Sequence, residues 1–169
     1  MLTIEDRIAR IEDRDQIRAL IALYAHGLDL PDRATFVSVW APDAIYKVDD
    51  PFGETVGVEA IGAAWDAFQR LFPYMYHHTM NIVIDGPDGD AASATSFAFI
   101  TGSDRAGTPW TASCTYFDEF ARIDGRWLFT RRYDQVNYMV PWLQPHDGLN
   151  GETRVYMTPE RVSHLLSLA

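Results

Sequence analysis

The sequence has one cysteine, Cys114, so no disulfide can form within the chain. A chain without disulfides fits a reducing compartment, and we interpret Cys114 as a small buried hydrophobe inside a strand-like run. Positive charge is also scarce, because 14 lysines and arginines face 24 acidic residues, which gives a net charge of −10. That field repels phosphate backbones, so we expect no nucleic-acid partner.

Long hydrophobic runs are missing as well. The N-terminal segment MLTIEDRIARIEDRD is charged throughout, and no apolar stretch is long enough to cross a bilayer. We therefore predict a soluble, cytoplasmic protein without a signal peptide and without a membrane partner.

Several chemical signatures are absent too. The sequence has no His-x-x-x-His or cysteine-rich spacing, no glycine-rich phosphate loop, no Gly-x-Ser-x-Gly elbow and no dinucleotide fingerprint. These absences predict a protein that uses no metal, no nucleotide cofactor and no serine nucleophile of the hydrolase type.

Apolar and aromatic residues are abundant, at 47% and 13% of the 169 residues. This content supports a sizeable core, and the length is that of one domain. We predict a single domain over residues 1–169, in which residues 141–169 form a C-terminal tail with a short helix near Thr158.

The first part of the chain has helical periodicity. Apolar residues recur at helical spacing from Ile4 to Leu28, with Thr3 as the N-cap and Asp13 as a possible cap of a second segment. A short helix is predicted over 32–40, and a longer one over 58–71 that ends before Pro73. Between them, residues 44–48 and 54–56 are predicted as two short strands.

The second part of the chain has strand patterns. Four long strands are predicted over residues 79–85, 91–104, 110–123 and 127–140, joined by turn sequences such as Asp124-Gly125. Helices followed by an antiparallel meander indicate the α+β class. A strongly twisted sheet of this length curls, so we expect a cone-shaped curved antiparallel sheet whose N-terminal helices enclose an apolar pocket.

Three groups of polar residues are candidates for chemistry. Asp29 lies near the end of the first helical pattern, five residues after Tyr24, but an aspartate there is also typical of a turn. His77 and His78 precede a strand on opposite faces, and a histidine becomes a strong general base when a buried carboxylate holds one ring nitrogen. Arg131 and Arg132 lie mid-strand, so one of them faces inward unless a bulge intervenes.

The order and spacing of several motifs resemble the SnoaL-like family, whose members share the cone fold of nuclear transport factor two and scytalone dehydratase. The motifs are Ile17 to Asp29, Phe36 to Ala44, His77-His-Thr-Met-Asn81, Tyr116 to Phe120, and Asp124-Gly-Arg-Trp127. The resemblance covers roughly residues 6–141. The same fold carries dehydratases, isomerases, cyclases, epoxide hydrolases and non-catalytic binding subunits, so it predicts the architecture better than the reaction.

Within the family, the chain is most similar to hexachlorocyclohexane dehydrochlorinase-like and bile-acid dehydratase-like members. This similarity implies that Asp29 orients His77, that His77 removes a proton from carbon, and that Arg132 helps the departing group. The tyrosine five residues before Asp29 matches the dehydratases, whereas the dehydrochlorinase lacks it and has a cationic residue nearby. Tyr24 therefore favours loss of water over loss of halide, or else isomerisation.

The resemblance also implies a hydrophobic pocket and an assembly. The predicted pocket residues are Trp40, Tyr46, Trp65, Phe68, Asn81, Ala112, Cys114 and Tyr116. They suit a hydrophobic cyclic small molecule, and the outer sheet face predicts a homo-oligomer, a dimer or trimer. The expected function is a cofactor-free lyase of dehydratase type. The alternatives are an isomerase or polyketide-type cyclase with the same dyad, and a non-catalytic ligand-binding or subunit module. Roles for His26 and His78 stay open.

Overall fold

The computed structural model describes residues 2–142 and 158–167. In chain order, the elements are α1 Ile4–Asp29, α2 Arg33–Ser38, β1 Trp40–Val48, β2 Gly53–Val56, α3 Val58–Leu71, β3 Tyr74–Asp88, β4 Ala91–Ser103, β5 Pro109–Ile123, β6 Arg126–Pro141 and α4 Pro159–Ser167. Of the predicted C-terminal tail, residues 143–157 and 168–169 lie outside the described residues.

The first helix is continuous, so the prediction that Asp13 begins a second segment is wrong. Thr3 caps α1 in a capping box, since its hydroxyl accepts a hydrogen bond from the Asp6 N–H and the Asp6 carboxylate accepts one from the Thr3 N–H. Asp13 is instead buried and accepts hydrogen bonds from Trp127 Nε1 at 3.0 Å and Arg122 Nη2 at 2.8 Å. These bonds fasten the middle of α1 to the sheet.

The six strands form one curved sheet in the order β2-β1-β6-β5-β4-β3. All neighbouring pairs are antiparallel except β1 and β6, which run parallel. The α+β class and the curved sheet that the sequence predicts are confirmed. In the described residues, no helix is both long and apolar enough to span a bilayer.

Strand β3 begins at Tyr74, five residues earlier than predicted, because the segment after Pro73 pairs with the end of β4. His77 therefore lies within the strand rather than before it. A bulge between Met80 and Val83 also interrupts the regular inward and outward alternation of the strand. Asn81 occupies the bulge with a φ of 54°, a conformation that asparagine tolerates better than most residues, and its side chain is exposed.

The end of α1 packs tightly on α2, and Gly27 makes this possible. A Cβ placed on Gly27 would lie 2.6 Å from the Phe36 backbone nitrogen and 2.7 Å from its Cα. Those atoms belong to a helix and cannot turn away, so only glycine permits the two helices to approach this closely.

We expect Gly27→Ala to lower the free energy of unfolding by about 1–3 kcal/mol, the usual cost of overpacking. Urea denaturation measures the change. Gly62→Ala in α3 is the matched control, because its Cβ would meet mainly the flexible end of the Arg33 side chain. Equal stability of the two variants would contradict the proposed role of Gly27.

Candidate active site

A central cavity lies between the concave face of the sheet and the helices α1 and α3. Its empty volume is about 500 Å³, part of which is its opening to solvent. Its walls are mostly aliphatic and aromatic, with six residues that carry polar groups: Tyr24, Tyr46, His77, Trp110, Cys114 and Asp134. An apolar cavity with a few convergent polar groups is the usual form of a small-molecule site.

His77 and Asp29 are in direct contact at the wall of this cavity. The Asp29 Oδ1 atom lies 2.6 Å from His77 Nδ1, and its Oδ2 accepts a hydrogen bond from the His77 backbone N–H at 2.8 Å. The His77 side chain is only 4% exposed and the Asp29 side chain only 11%. Because Asp29 occupies Nδ1, the ring nitrogen available for chemistry is Nε2.

Two side chains of α3 hold the end of α1 that carries Asp29. Trp65 Nε1 donates a hydrogen bond to the Gly27 carbonyl at 2.9 Å, and Gln69 Nε2 donates one to the Leu28 carbonyl at 2.8 Å. These carbonyls have no partner within a helix that ends here. Trp65 was predicted as a pocket wall, but the structure places it as a brace behind the His77–Asp29 pair instead.

The hydroxyl groups of Tyr24 and Tyr46 lie 2.8 Å apart and are buried. Burial raises the pKa of both hydroxyls, so both stay neutral near neutral pH. One hydroxyl donates to the other, and the second then keeps its hydrogen for a different acceptor. The Tyr24 ring also packs edge-on against the His77 ring, with centroids 6.2 Å apart. The sequence predicted both tyrosines at the site but not their hydrogen bond.

Arg132 lies behind Tyr24 rather than in the wall of the cavity, so the structure does not place it against a departing group. Its guanidinium forms two bonds of 2.7 Å with Asp118 and is stacked 4.0 Å from the Tyr24 ring centroid. Both side chains of the ion pair are fully buried. Burial lowers the pKa of Arg132, but the Asp118 carboxylate outweighs that effect, raises the pKa and keeps the guanidinium charged.

The predicted pocket residues divide into two groups. Tyr46, Phe68, Ala112 and Cys114 line the cavity. Trp40, Trp65, Asn81 and Tyr116 do not, each for a different reason. Trp40 packs against the rings of Tyr46 and Phe129, Tyr116 covers the Arg132 guanidinium, and Asn81 is turned outward by its bulge.

His26 and His78, whose roles the sequence left open, lie outside the site. His26 is exposed on α1. His78 is exposed on the outer face of β3, where its ring lies 6.4 Å from that of Phe99. In the described residues, no group of three or more histidine, cysteine, aspartate or glutamate side chains is placed to hold a metal ion.

Sequence reasoning missed Asp134, which lines the cavity together with His77. Residues two apart on a strand share a face, so a strand that turns Arg132 inward also turns Asp134 inward. That alternation was the available signal. The apolar walls from Phe52, Phe72 and Met75 were also missed, because two of them lie where a helix or turn meets the sheet.

A family profile described as the SnoaL-like domain matches residues 9–133 of the chain. No curated protein sequence matches it.

Several solved structures have the same fold. One is hexachlorocyclohexane dehydrochlorinase LinA type 2, with a TM-score of 0.75 and 21% identity over 85% of this chain and 96% of that one. LinA type 3 from Novosphingobium barchaimii gives a TM-score of 0.74 and 21% identity, over 85% and 97%. A proposed scytalone dehydratase from Novosphingobium aromaticivorans gives 0.71 and 20%, over 80% and 91%. At these identities the likeness shows the fold.

Proposed function

Because this chain belongs to the SnoaL-like domain family, we propose that it is a lyase of dehydratase type that acts on a hydrophobic cyclic small molecule. The observation that carries the proposal is the direct contact of Asp29 with His77 Nδ1 at 2.6 Å, at the edge of an apolar cavity. A carboxylate in this position fixes the histidine tautomer and stabilises the imidazolium that forms when Nε2 accepts a proton.

The proposed reaction begins when His77 Nε2 removes a proton from a carbon of the bound substrate. Asp29 then stabilises the charged ring. The hydroxyl pair of Tyr24 and Tyr46 supplies one hydrogen for an oxygen on which negative charge develops. Arg132 supports this donor from behind Tyr24, as a positioning residue. None of these proton transfers requires a cofactor. General acid–base catalysis of this kind contributes about 10²–10⁴-fold, and orientation in the cavity adds to it.

Two features support loss of water rather than loss of halide. Tyr24 matches the tyrosine of the dehydratase-like pattern, whereas the dehydrochlorinase-like pattern lacks this tyrosine and has a cationic residue nearby. In the described part of the chain, the lining of the cavity contains neither lysine nor arginine, so a departing halide would meet no permanently charged side chain there.

We further propose a homo-oligomer of two or three cytoplasmic subunits, associated through the outer face of the sheet. Support comes from large apolar side chains that this face leaves exposed. They include Tyr74, Tyr76, Met80, Phe97 and Phe117.

Incubation with a panel of hydroxylated cyclic ketones tests the reaction. The panel contains steroid-like and polyketide-like compounds and the small β-hydroxyindanone. We expect at least one member to lose one water in mass spectrometry, and we expect no loss when the protein is omitted. A product of unchanged mass would indicate an isomerase or cyclase and contradict the lyase. Binding without turnover across the panel would indicate a non-catalytic module.

A further inference from the structure

The cavity contains a second buried carboxyl group, Asp134, that the reaction described above does not use. Asp134 lies on β6 and His77 on β3, with β5 and β4 between them in the sheet. The curvature of the sheet brings both side chains to the same cavity. Asp134 is 6% exposed, and in the described residues its Oδ1 atom has no hydrogen-bond partner.

An unsatisfied buried carboxyl oxygen is unfavourable unless something else binds it. The charged side chains near Asp134 form their hydrogen bonds with other groups, although Arg132 Nη1 has no hydrogen-bond partner among the described residues. Arg132 is held by Asp118, and Asp49 accepts hydrogen bonds from the Tyr133 hydroxyl and the Val136 N–H. Asp134 Oδ1 therefore has no partner among these groups, and a ligand in the cavity that Asp134 lines can supply one.

The surroundings of Asp134 keep its carboxyl group protonated to a higher pH than that of an ordinary aspartate. Burial raises its pKa to about 6, although the Cys114 hydrogen bond and the charges of Arg132 and His77 lower it. Tyr24, Tyr46 and Tyr116 also face it and stay neutral, because burial raises their pKa values. A bound apolar ligand that displaces water from the cavity favours the neutral carboxylic acid further.

Loss of water needs an acid as well as a base, because hydroxide is a poor leaving group. We propose that Asp134 is the catalytic acid of this site, which donates a proton from its carboxyl group to the departing hydroxyl oxygen of the substrate. This inference rests on the proposed dehydration. It assigns the substrate class as a compound with a hydroxyl group on the carbon next to the one that His77 deprotonates.

The proton and electron balance closes within the site. His77 Nε2 takes the proton from carbon, and the electron pair of that C–H bond forms the new carbon–carbon double bond. The C–O bond breaks with its electron pair on oxygen, which takes the Asp134 proton and leaves as water. The imidazolium of His77 then loses a proton to solvent, and the Asp134 carboxylate regains one.

Two leaving groups on one skeleton test this role of Asp134. We expect Asp134→Asn to lower kcat for β-hydroxyindanone by about 10²–10⁴-fold. Acetate leaves without protonation, so the same variant should lower kcat for the O-acetyl ester by less than about tenfold. Both substrates give the same indenone, which absorbance and mass spectrometry measure.

In the wild type, kcat for the hydroxy compound should fall as the pH rises above about 6, because the Asp134 carboxyl group loses its proton. Asp134→Asn should remove this decrease of kcat with pH.

The outcomes separate the two hypotheses. Unchanged kcat of Asp134→Asn on the hydroxy compound, or equal losses on both substrates, overturns the acid role. If His77→Gln is then inactive on both, the proposed lyase survives. Full activity of His77→Gln contradicts the proposed lyase function itself.

Infrared difference spectra of wild type minus Asp134→Asn test the acid role of Asp134 without depending on turnover. We expect a carboxylic-acid C=O band that titrates near pH 6 and grows when indanone binds. If this band is absent both with and without indanone, the proposal that Asp134 is the catalytic acid is overturned.

Discussion

His77→Gln is expected to lower kcat by at least about 10²–10⁴-fold, which is the usual contribution of a general base. Glutamine cannot accept a proton at neutral pH, so the reaction loses the group that takes the proton from carbon. The fold should be retained, because the backbone N–H of residue 77 keeps its bond of 2.8 Å to Asp29 Oδ2. Turnover of β-hydroxyindanone, or of whichever panel compound loses water, measures the effect.

The chain offers a matched control for this variant in the next residue. His78 is exposed on the outer face of β3, so His78→Gln changes the same functional group on the opposite side of the same strand. We expect its kcat to stay within about twofold of the wild type, as for most surface substitutions. Near-ultraviolet circular dichroism checks that both variants keep their packing. Retained turnover in folded His77→Gln would exclude the histidine base.

The elements were predictable from the sequence because their patterns are local. Helical spacing from Ile4 to Leu28 and the turn at Asp124-Gly125 each depend on residues close in the chain, and both agree with the structure. Local patterns fail where the backbone departs from regular alternation. The bulge at Asn81 moves that side chain outward and brings Ile82 and Ile84 to the inner face after His77.

The contacts of the site depend on the register between distant segments, which composition and spacing do not encode. Asp118 and Arg132 are directly opposite each other in the pairing of β5 with β6. No sequence pattern makes Asp118 the partner of Arg132 until that register is known. The same holds for Trp65, whose indole reaches the end of α1 only because α3 packs beside it. The sequence predicted part of the cavity lining, such as Tyr46 and Cys114, but the packing of distant segments decides that Trp65 lies outside it.

Asp118→Asn should produce the largest loss of stability among the substitutions considered. The Arg132–Asp118 pair is fully buried, with two bonds of 2.7 Å, and three aromatic rings surround the guanidinium. Removing the carboxylate leaves a buried cation without its counter-ion, which costs about 3–5 kcal/mol in comparable cases. Urea denaturation should show this loss in the free energy of unfolding.

A double replacement separates the cost of an unpaired charge from the value of the pair itself. Asp118→Leu with Arg132→Met removes both charges, and apolar replacements of buried pairs are often neutral or stabilising by about 1–4 kcal/mol. We therefore expect the double variant to be more stable than Asp118→Asn. Arg131→Met is the control, because Arg131 is exposed on the same strand and should change stability by no more than about 0.5 kcal/mol. If Asp118→Asn is as stable as Arg131→Met, the Arg132–Asp118 pair does not stabilise the fold around Tyr24. If the double variant is stable but its kcat is lowered, the positive charge 4.0 Å from the Tyr24 ring contributes to the reaction as well as to the fold.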